Sequence, residues 1–403
     1  MRPRLLSPHA IAVTLIALAA SFGLGQTGVS YPVPPVTLTL DPNEAIVAGT
    51  SLLWSPSGQA AWDAMRKYHG VKKLELTPHP PIATVLNDFQ WDAASVLPAN
   101  TFIYGGDDSK ARREEIRQKL RSVAGPQAAA MIGPYLPPGP VGPMLDRIKS
   151  ALFVSCISHA PKFPSSFISD TEKQFFTSSQ GTKLLTWGFG IDGAQAATMG
   201  SAFVVQADDL KGSFVLRLPF LKTDQELPDA LILAQKPGMK SLAEGIAWMR
   251  QSLKKPVDEI RVVEHQGRHW RYISELTSED RFWMPKLKAT VACDYGDLIG
   301  KTYLHDPDTL TFWKIREAQQ MLNFKLDETG AMTQAVFKVT ADFMSVGGAG
   351  PQGLPAGVKM EDLPLWPKKF ILNGPFLAAL WRKDAEWPYL VCWVDSGEVM
   401  ATK

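Results

Sequence analysis

Two histidines four residues apart, His265 and His269, are the first pair in this chain that could do chemistry. On one helical face they would make half of a metal site. Gln266, Gly267 and Arg268 between them are turn-like, and no third ligand is evident, so no metal centre is expected. Gly188-Phe189-Gly190-Ile191-Asp192-Gly193 has the spacing of a dinucleotide loop. Yet residues 194–201 lack the pattern of an amphipathic helix, and no βαβ unit surrounds them. A glycine-rich turn is the expectation there. GxSxG, HExxH and CxxC motifs are missing from the sequence. No nucleophile–base pair is visible, so no catalytic residue and no cofactor is assigned, and binding or inhibition is favoured over catalysis.

Composition narrows the partners. Lys and Arg number 42 against 40 Asp and Glu, and the net charge of +2 is scattered, which argues against nucleic acid. One basic run stands out: Lys110, Arg112, Arg113, Arg117, Lys119 and Arg121. It is interleaved with Asp107, Asp108, Glu114 and Glu115, which makes it a solvated helix face. Cys156, Cys293 and Cys392 are no disulfide framework; buried free thiols are expected in a core this large. At the N-terminus, Arg2 and Arg4 precede the apolar run 11–20 and then small residues. Residues 1–25 therefore read as a signal peptide, with a retained anchor as the alternative. Removal of that segment would leave a secreted chain, extracellular or periplasmic, with no membrane segment. Residues 26–45 would be an extended lead-in and 46–403 a single domain acting as a monomer.

Periodicity places the elements. A helix is expected over 57–69, capped by Ser57, and an amphipathic helix over 108–123 with Ile116 and Leu120 on one face. Residues 125–143 carry six prolines and read as loop. Short β-rich runs follow at 202–205, 213–218, 230–234, 258–263, 282–287, 289–293 and 335–343, with a helix over 240–253. Buried strands are expected over 370–380 and 389–394. Helices first and many strands later is the pattern of an α+β domain.

Several separated segments resemble the serpin family, in the family's order. Trp54-Ser55-Pro56-Ser57-Gly58, then Ala64-Met65, is similar to the Phe-Ser-Pro-x-Ser start of a helix. Ala99-Asn100-Thr101-Phe102 and Ser150-Ala151-Leu152-Phe153-Val154 resemble two family strands. So do Phe214 to Pro219 with Leu231-Ile232-Leu233, and Met284-Pro285-Lys286-Leu287-Lys288. Leu326-Asp327-Glu328-Thr329-Gly330 resembles the family's hinge, and Asn373-Gly374-Pro375-Phe376-Leu377 its last strand pair. The likeness runs from about Ile46 to Val394.

The resemblance implies a serpin-like α+β fold. It has a large mixed central sheet, smaller sheets, N-terminal helices and an exposed reactive loop near the C-terminus. It implies inhibition of an extracellular serine protease, with the loop 330–369 as bait. After a cut, the loop's first half enters the large sheet as a new strand and the protease stays trapped as an acyl-enzyme. In the hinge of Glu328 and Gly330 onward, Ala331, Thr333, Ala335 and Phe337 would face inward. Family spacing puts the reactive bond at Met344–Ser345, suited to elastase-, chymotrypsin- or subtilisin-like enzymes. The chain departs from the family at Ser150 and Gly58, which replace its usual Asn and Ser, and near Ser158, where a Trp is lost. A helix across the main sheet would be shortened by the prolines of 125–143. A non-inhibitory serpin-like binding protein or protease substrate is the other reading.

Overall fold

Apolar and β-branched runs broken by Pro and Gly give more strand than helix among the described residues. The computed structural model describes residues 36–132, 150–170, 172–192, 203–221, 229–255, 260–306, 311–338 and 364–401. In chain order the strands are β1 (Val36–Thr39), β2 (Ser51–Trp54), β3 (Phe102–Asp107), β4 (Ala151–His159), β5 (Ile168–Ser169), β6 (Gln174–Thr177), β7 (Lys183–Thr186), β8 (Gly188–Ile191), β9 (Val204–Asp208), β10 (Phe214–Pro219) and β11 (Asp229–Gln235). They continue as β12 (Ile260–His265), β13 (Arg268–Ile273), β14 (Arg281–Pro285), β15 (Leu287–Asp294), β16 (Thr302–Asp306), β17 (Thr311–Lys314), β18 (Gln319–Asp327), β19 (Gly330–Lys338), β20 (Lys369–Ile371), β21 (Phe376–Arg382) and β22 (Leu390–Val394). Helices α1 (Ser57–His69), α2 (Pro81–Asp88), α3 (Ala93–Val96) and α4 (Lys110–Ile132) come early, and α5 (Leu242–Lys254) stands among the strands. The α+β class read from the sequence is the class found.

Among the described residues, three sheets carry the fold. A seven-stranded sheet runs β1-β2-β22-β21-β11-β10-β9, with β21 and β22 buried along their whole length. A five-stranded sheet runs β15-β18-β19-β4-β3, and a four-stranded one β20-β14-β8-β5. The apolar run 370–380 is two strands in two different sheets, not one. Asn373-Gly374-Pro375 breaks it, since Pro has no N–H for a ladder and fixes its φ.

The glycine-rich run is likewise not a turn. Gly188–Ile191 is strand β8, buried against β14. A Cβ on Gly188 would meet Trp283 Nε1 at 2.3 Å, and one on Gly190 would meet the Phe282 carbonyl oxygen at 2.1 Å. Close approach of two strands, not phosphate binding, requires those glycines. His265 and His269 lie in the hairpin β12–β13, whose turn residues Gln266 and Gly267 both have positive φ. His265 opposes Arg268 and His269 opposes Glu264, so the two rings leave opposite faces of the ribbon.

The helices differ in detail from expectation. Ser57 starts α1 but does not cap it; Pro56 holds the cap position, and the Ser57 hydroxyl accepts a bond from Gln320. α4 does not end near residue 123. It bends at Gly125 (φ 80°) and goes on from Pro126 to Ile132, because Pro is tolerated at the first position of a new helical stretch. Nor is its basic run wholly solvated: Arg113 is buried on Asp108 at 2.5 Å. Arg112, Arg117 and Lys119 do pair at the surface, with Glu115, Glu114 and Glu115. Cys156 and Cys392 are buried free thiols and Cys293 is half-buried. Burial pushes the Cys156 thiol up to about 12, which makes it a poor nucleophile. The expected signal segment lies outside the described residues, and among those no helix is long and apolar enough to cross a membrane.

Candidate functional site

The hinge is a tight turn between β18 and β19. Asp327 opposes Gly330, leaving Glu328 and Thr329 as the connection. Asp327 Oδ1 accepts from the Thr329 amide at 2.9 Å and its hydroxyl at 2.6 Å, while Lys325 Nζ lies 2.5 Å from Oδ2. Burial works against this carboxylate, but those partners hold it below the usual range. Glu328 is tied to Lys286 at 2.7 Å. Its carbonyl accepts from Phe167 N, and that of Thr329 accepts from Phe163 N. Gly330 has φ 152°, and a Cβ there would sit 2.3 Å from the Pro161 carbonyl oxygen. Only glycine fits that crossing.

Past the hinge, the segment expected to be exposed loop is a strand in the middle of a sheet. β19 pairs antiparallel with β18 from Gln319↔Lys338 to Asp327↔Gly330. On its other side it pairs antiparallel with β4 from Thr333↔His159 to Lys338↔Val154. β18 and β4 therefore run parallel to each other, with β19 filling the slot between them. The alternation read from the sequence holds for Ala331, Thr333 and Ala335, which are all buried. Ala331 and Ala335 join the core with Leu322, Phe324, Leu326 and Ile157. Phe337 continues the strand, paired with Gln320 and Ser155. The opposite face is covered too: Val336 packs with Ile116 and Leu120 of α4 and with Leu152, Val154 and Cys156 of β4.

The leading end of β19 carries a cost. Lys338 is buried, with its ammonium on Glu317 and with Arg113, Asp108 and Arg316 nearby. Burial pushes its pKa from 10.5 down to about 8; Arg113 and Arg316 push the same way and Asp108 opposes them. Below pH about 8 the lysine is protonated whether β19 is in the sheet or out, so pH has no leverage. Between about 8 and 10.5 the inserted strand has released its proton and the free one has not, so insertion strengthens as pH rises. Lys338→Met should raise the melting temperature near neutral pH. Its advantage should shrink as the pH climbs from about 8 to about 10.5, and a constant difference across that window would refute the burial cost.

Two polar chains around the slot escaped sequence reasoning. Tyr295 donates to Gln320 Oε1 at 2.6 Å, and Gln320 Nε2 donates to Ser57 Oγ at 3.0 Å. Beneath the other end, His159 Nε2 lies 2.7 Å from Asp229 Oδ2, which also accepts from Tyr389 at 3.2 Å. This second group joins the five-stranded sheet to the seven-stranded one.

The far end of the expected bait is anchored elsewhere. Arg271 N donates to the Pro364 carbonyl at 2.7 Å, and Trp366 N donates back to Arg271 at 2.9 Å. The Trp366 ring meets His265 and Trp270 edge to face. Lys368 Nζ lies 2.6 Å from Asp280 Oδ2, its side chain 1% exposed and that of Asp280 not at all. β20 then pairs parallel with β14. Met344 and Ser345, with the rest of 339–363, lie outside the described residues.

No family model matches the chain, and no curated protein matches it. Solved structures similar to it include a cleaved serpin 42Da at 13% identity and a TM-score of 0.46, covering 88% of this chain and 92% of that one. A loop-inserted, cleaved ovalbumin mutant is similar at 10% identity and a TM-score of 0.44, over 86% of this chain and 93% of that one. The thermophilic serpin Tengpin in its latent state is similar at 9% identity and a TM-score of 0.34, over 75% and 78%.

Proposed function

We propose that this chain is a secreted, serpin-like inhibitor of an extracellular serine protease and works by strand insertion. One observation carries the reading: Gly330–Lys338 occupies a slot between two parallel strands, with Ala331, Thr333 and Ala335 buried. A segment that can leave and refill such a slot couples bond cleavage to a gain in sheet pairing. The ordered motif set adds support. Met344–Ser345 is the proposed bond, for an elastase-, chymotrypsin- or subtilisin-like enzyme. The protease serine attacks the Met344 carbonyl, the bond to Ser345 breaks, and the released amine keeps a proton. An ester between protease and Met344 remains, and insertion carries it away from the catalytic geometry. No cofactor is needed for these steps.

Incubation with the three protease types, followed by denaturing gel electrophoresis, tests the proposal. A denaturation-resistant adduct of one chain with one protease is expected. Cleavage near Met344 without an adduct would sink inhibition in favour of the non-inhibitory reading. The burial of Lys338 at the end of β19 farthest from the hinge favours that second reading, because burying its charge opposes complete insertion.

A further inference from the structure

β9 ends the seven-stranded sheet, and its residues Val205–Asp209 line a cavity of about 410 Å³. Small-molecule sites run from roughly 300 to 1,000 Å³, so the space suits a compact organic ligand. The other walls come from three places: Trp248 on α5, Lys255 just past its end, and Arg261 and Tyr272 of the hairpin β12–β13. No residue of this cavity belongs to β18, β19 or β4, so it stands apart from the slot and from the trap reading.

Five charged side chains line it: Asp208, Asp209, Lys236, Lys255 and Arg261. The two acids are committed to local structure. Asp208 Oδ1 accepts from the Leu210 amide at 2.7 Å and Oδ2 from the Tyr272 hydroxyl at 2.8 Å. Asp209 Oδ1 accepts from the Lys211 and Ser213 amides at 2.7 and 2.9 Å, which closes the β9–β10 turn. Lys236 is bonded to Glu244 at 2.9 Å. Lys255 and Arg261 differ, for neither forms an ion pair among the described residues. Arg261 donates to the Asp208 carbonyl at 2.8 Å and lies over the Tyr272 ring, 4.3 Å from its centroid. The carbonyls at the end of α5, which would repel an anion, are screened: Gln206 Nε2 donates to those of Ser252 and Lys255 at 3.0 Å each.

We propose that this cavity binds a small organic acid, with its carboxylate held by Arg261 and Lys255 and its flat apolar body against Trp248. A guanidinium offers a carboxylate two parallel bonds, and the half-buried position of Arg261 makes them stronger than at an open surface. Trp248 is half-buried too and supplies the flat apolar wall. The wall that carries Arg261 is fixed in advance. Tyr272 is 2% exposed, its hydroxyl is bonded to Asp208, and the Lys368 ammonium stands 5.2 Å from its ring. A preformed wall spares the ligand the cost of ordering it.

Indole-3-acetate, a planar carboxylate, is the probe, titrated into the full chain by isothermal calorimetry. One saturable site per chain is expected. Tryptamine carries an ammonium on the same ring system and should bind at least about tenfold more weakly, as should acetate, which lacks the ring. Lys255→Gln removes an exposed charge and should weaken indole-3-acetate about tenfold, with a larger loss for Arg261→Gln. Should Arg261→Gln disturb the hairpin, the surface variant Lys255→Gln still reads the site. Lys254 is next in the chain but lines no part of this cavity, so Lys254→Gln should leave binding unchanged. Absence of saturable binding by indole-3-acetate would overturn the proposal. Equal or tighter binding of tryptamine would make the site one for cations and overturn it too. Equal weakening by Lys254→Gln and Lys255→Gln would reduce the effect to surface charge and overturn the cavity as its seat. None of these readouts involves a protease, so failure of the adduct test and failure of this proposal are separate results.

Discussion

Thr333→Arg should abolish the covalent adduct and turn the chain into an ordinary protease substrate. Thr333 is 0% exposed and lies between Phe324 of β18 and His159 of β4. Among the described residues its hydroxyl has no hydrogen-bond partner. A guanidinium there would be buried beside Phe324 and the core alanines Ala331 and Ala335, and an unpaired buried charge costs about 3–5 kcal/mol. That is large against the ~5–15 kcal/mol of a whole fold. The penalty falls only on the inserted state, because the substituted side chain is solvated when β19 is out. Cleavage should continue at the parental rate, since the proposed bond lies beyond Lys338. Thr333→Val is the matched control. It replaces an unsatisfied hydroxyl with a methyl of similar shape, so trapping should be unchanged or improved, by about 1 kcal/mol in insertion. Denaturing gels resolve adduct from cleaved chain for both variants. An adduct from Thr333→Arg at parental yield would show that β19 need not enter the sheet.

How much of this was legible in the sequence depends on how local each feature is. The alternation of Ala331, Thr333 and Ala335 is a period-two signal, and the buried face it implied is real. Helix α1 was likewise written in its own residues, from Ser57 to His69. What failed was decided by distant partners. Gly188 and Gly190 look like a turn until Trp283 and Phe282 arrive from another strand. Ser57 looks like a cap until Gln320, far along the chain, claims its hydroxyl. His265 and His269 show a helical spacing, but a two-residue turn at Gln266 and Gly267 sends them to opposite faces. That Gly330–Lys338 is a sheet strand and not part of the loop was hidden for a different reason. The residues that suit β19 to insertion are the same whether the strand is in or out, so the sequence specifies competence for the slot and not occupancy. Likewise the clamp formed by the buried pair of Lys368 with Asp280 brings residues from distant parts of the chain together, and neither has a local pattern that announces it.

That clamp makes the second large prediction. Asp280→Ala should destabilise the chain by about 3–5 kcal/mol, because it strands the Lys368 ammonium in a site 1% exposed. The same carboxylate also accepts from the Thr277 amide at 2.6 Å and the Lys368 amide at 2.7 Å, so two backbone donors lose their acceptor as well. Burial already pushes Lys368 below the ordinary lysine range, and Asp280 draws it back up. Without Asp280 the ammonium sheds its proton more readily, so the damage should lessen as pH rises. Replacing both partners, with Lys368→Met and Asp280→Leu, should recover part of the loss, because no charge is then left behind. The location of the damage separates a clamp from a general core defect. Amides of Phe370 and Ile371 should lose protection first, while those of β19, paired on both sides, keep theirs. Equal loss of protection in β19 and β20 would mean that the pair stabilises the whole fold and does not fix one end of the bait. A selective loss at β20 means that the chain holds its two loop ends by separate means, a doubly paired strand at one and a buried ion pair at the other.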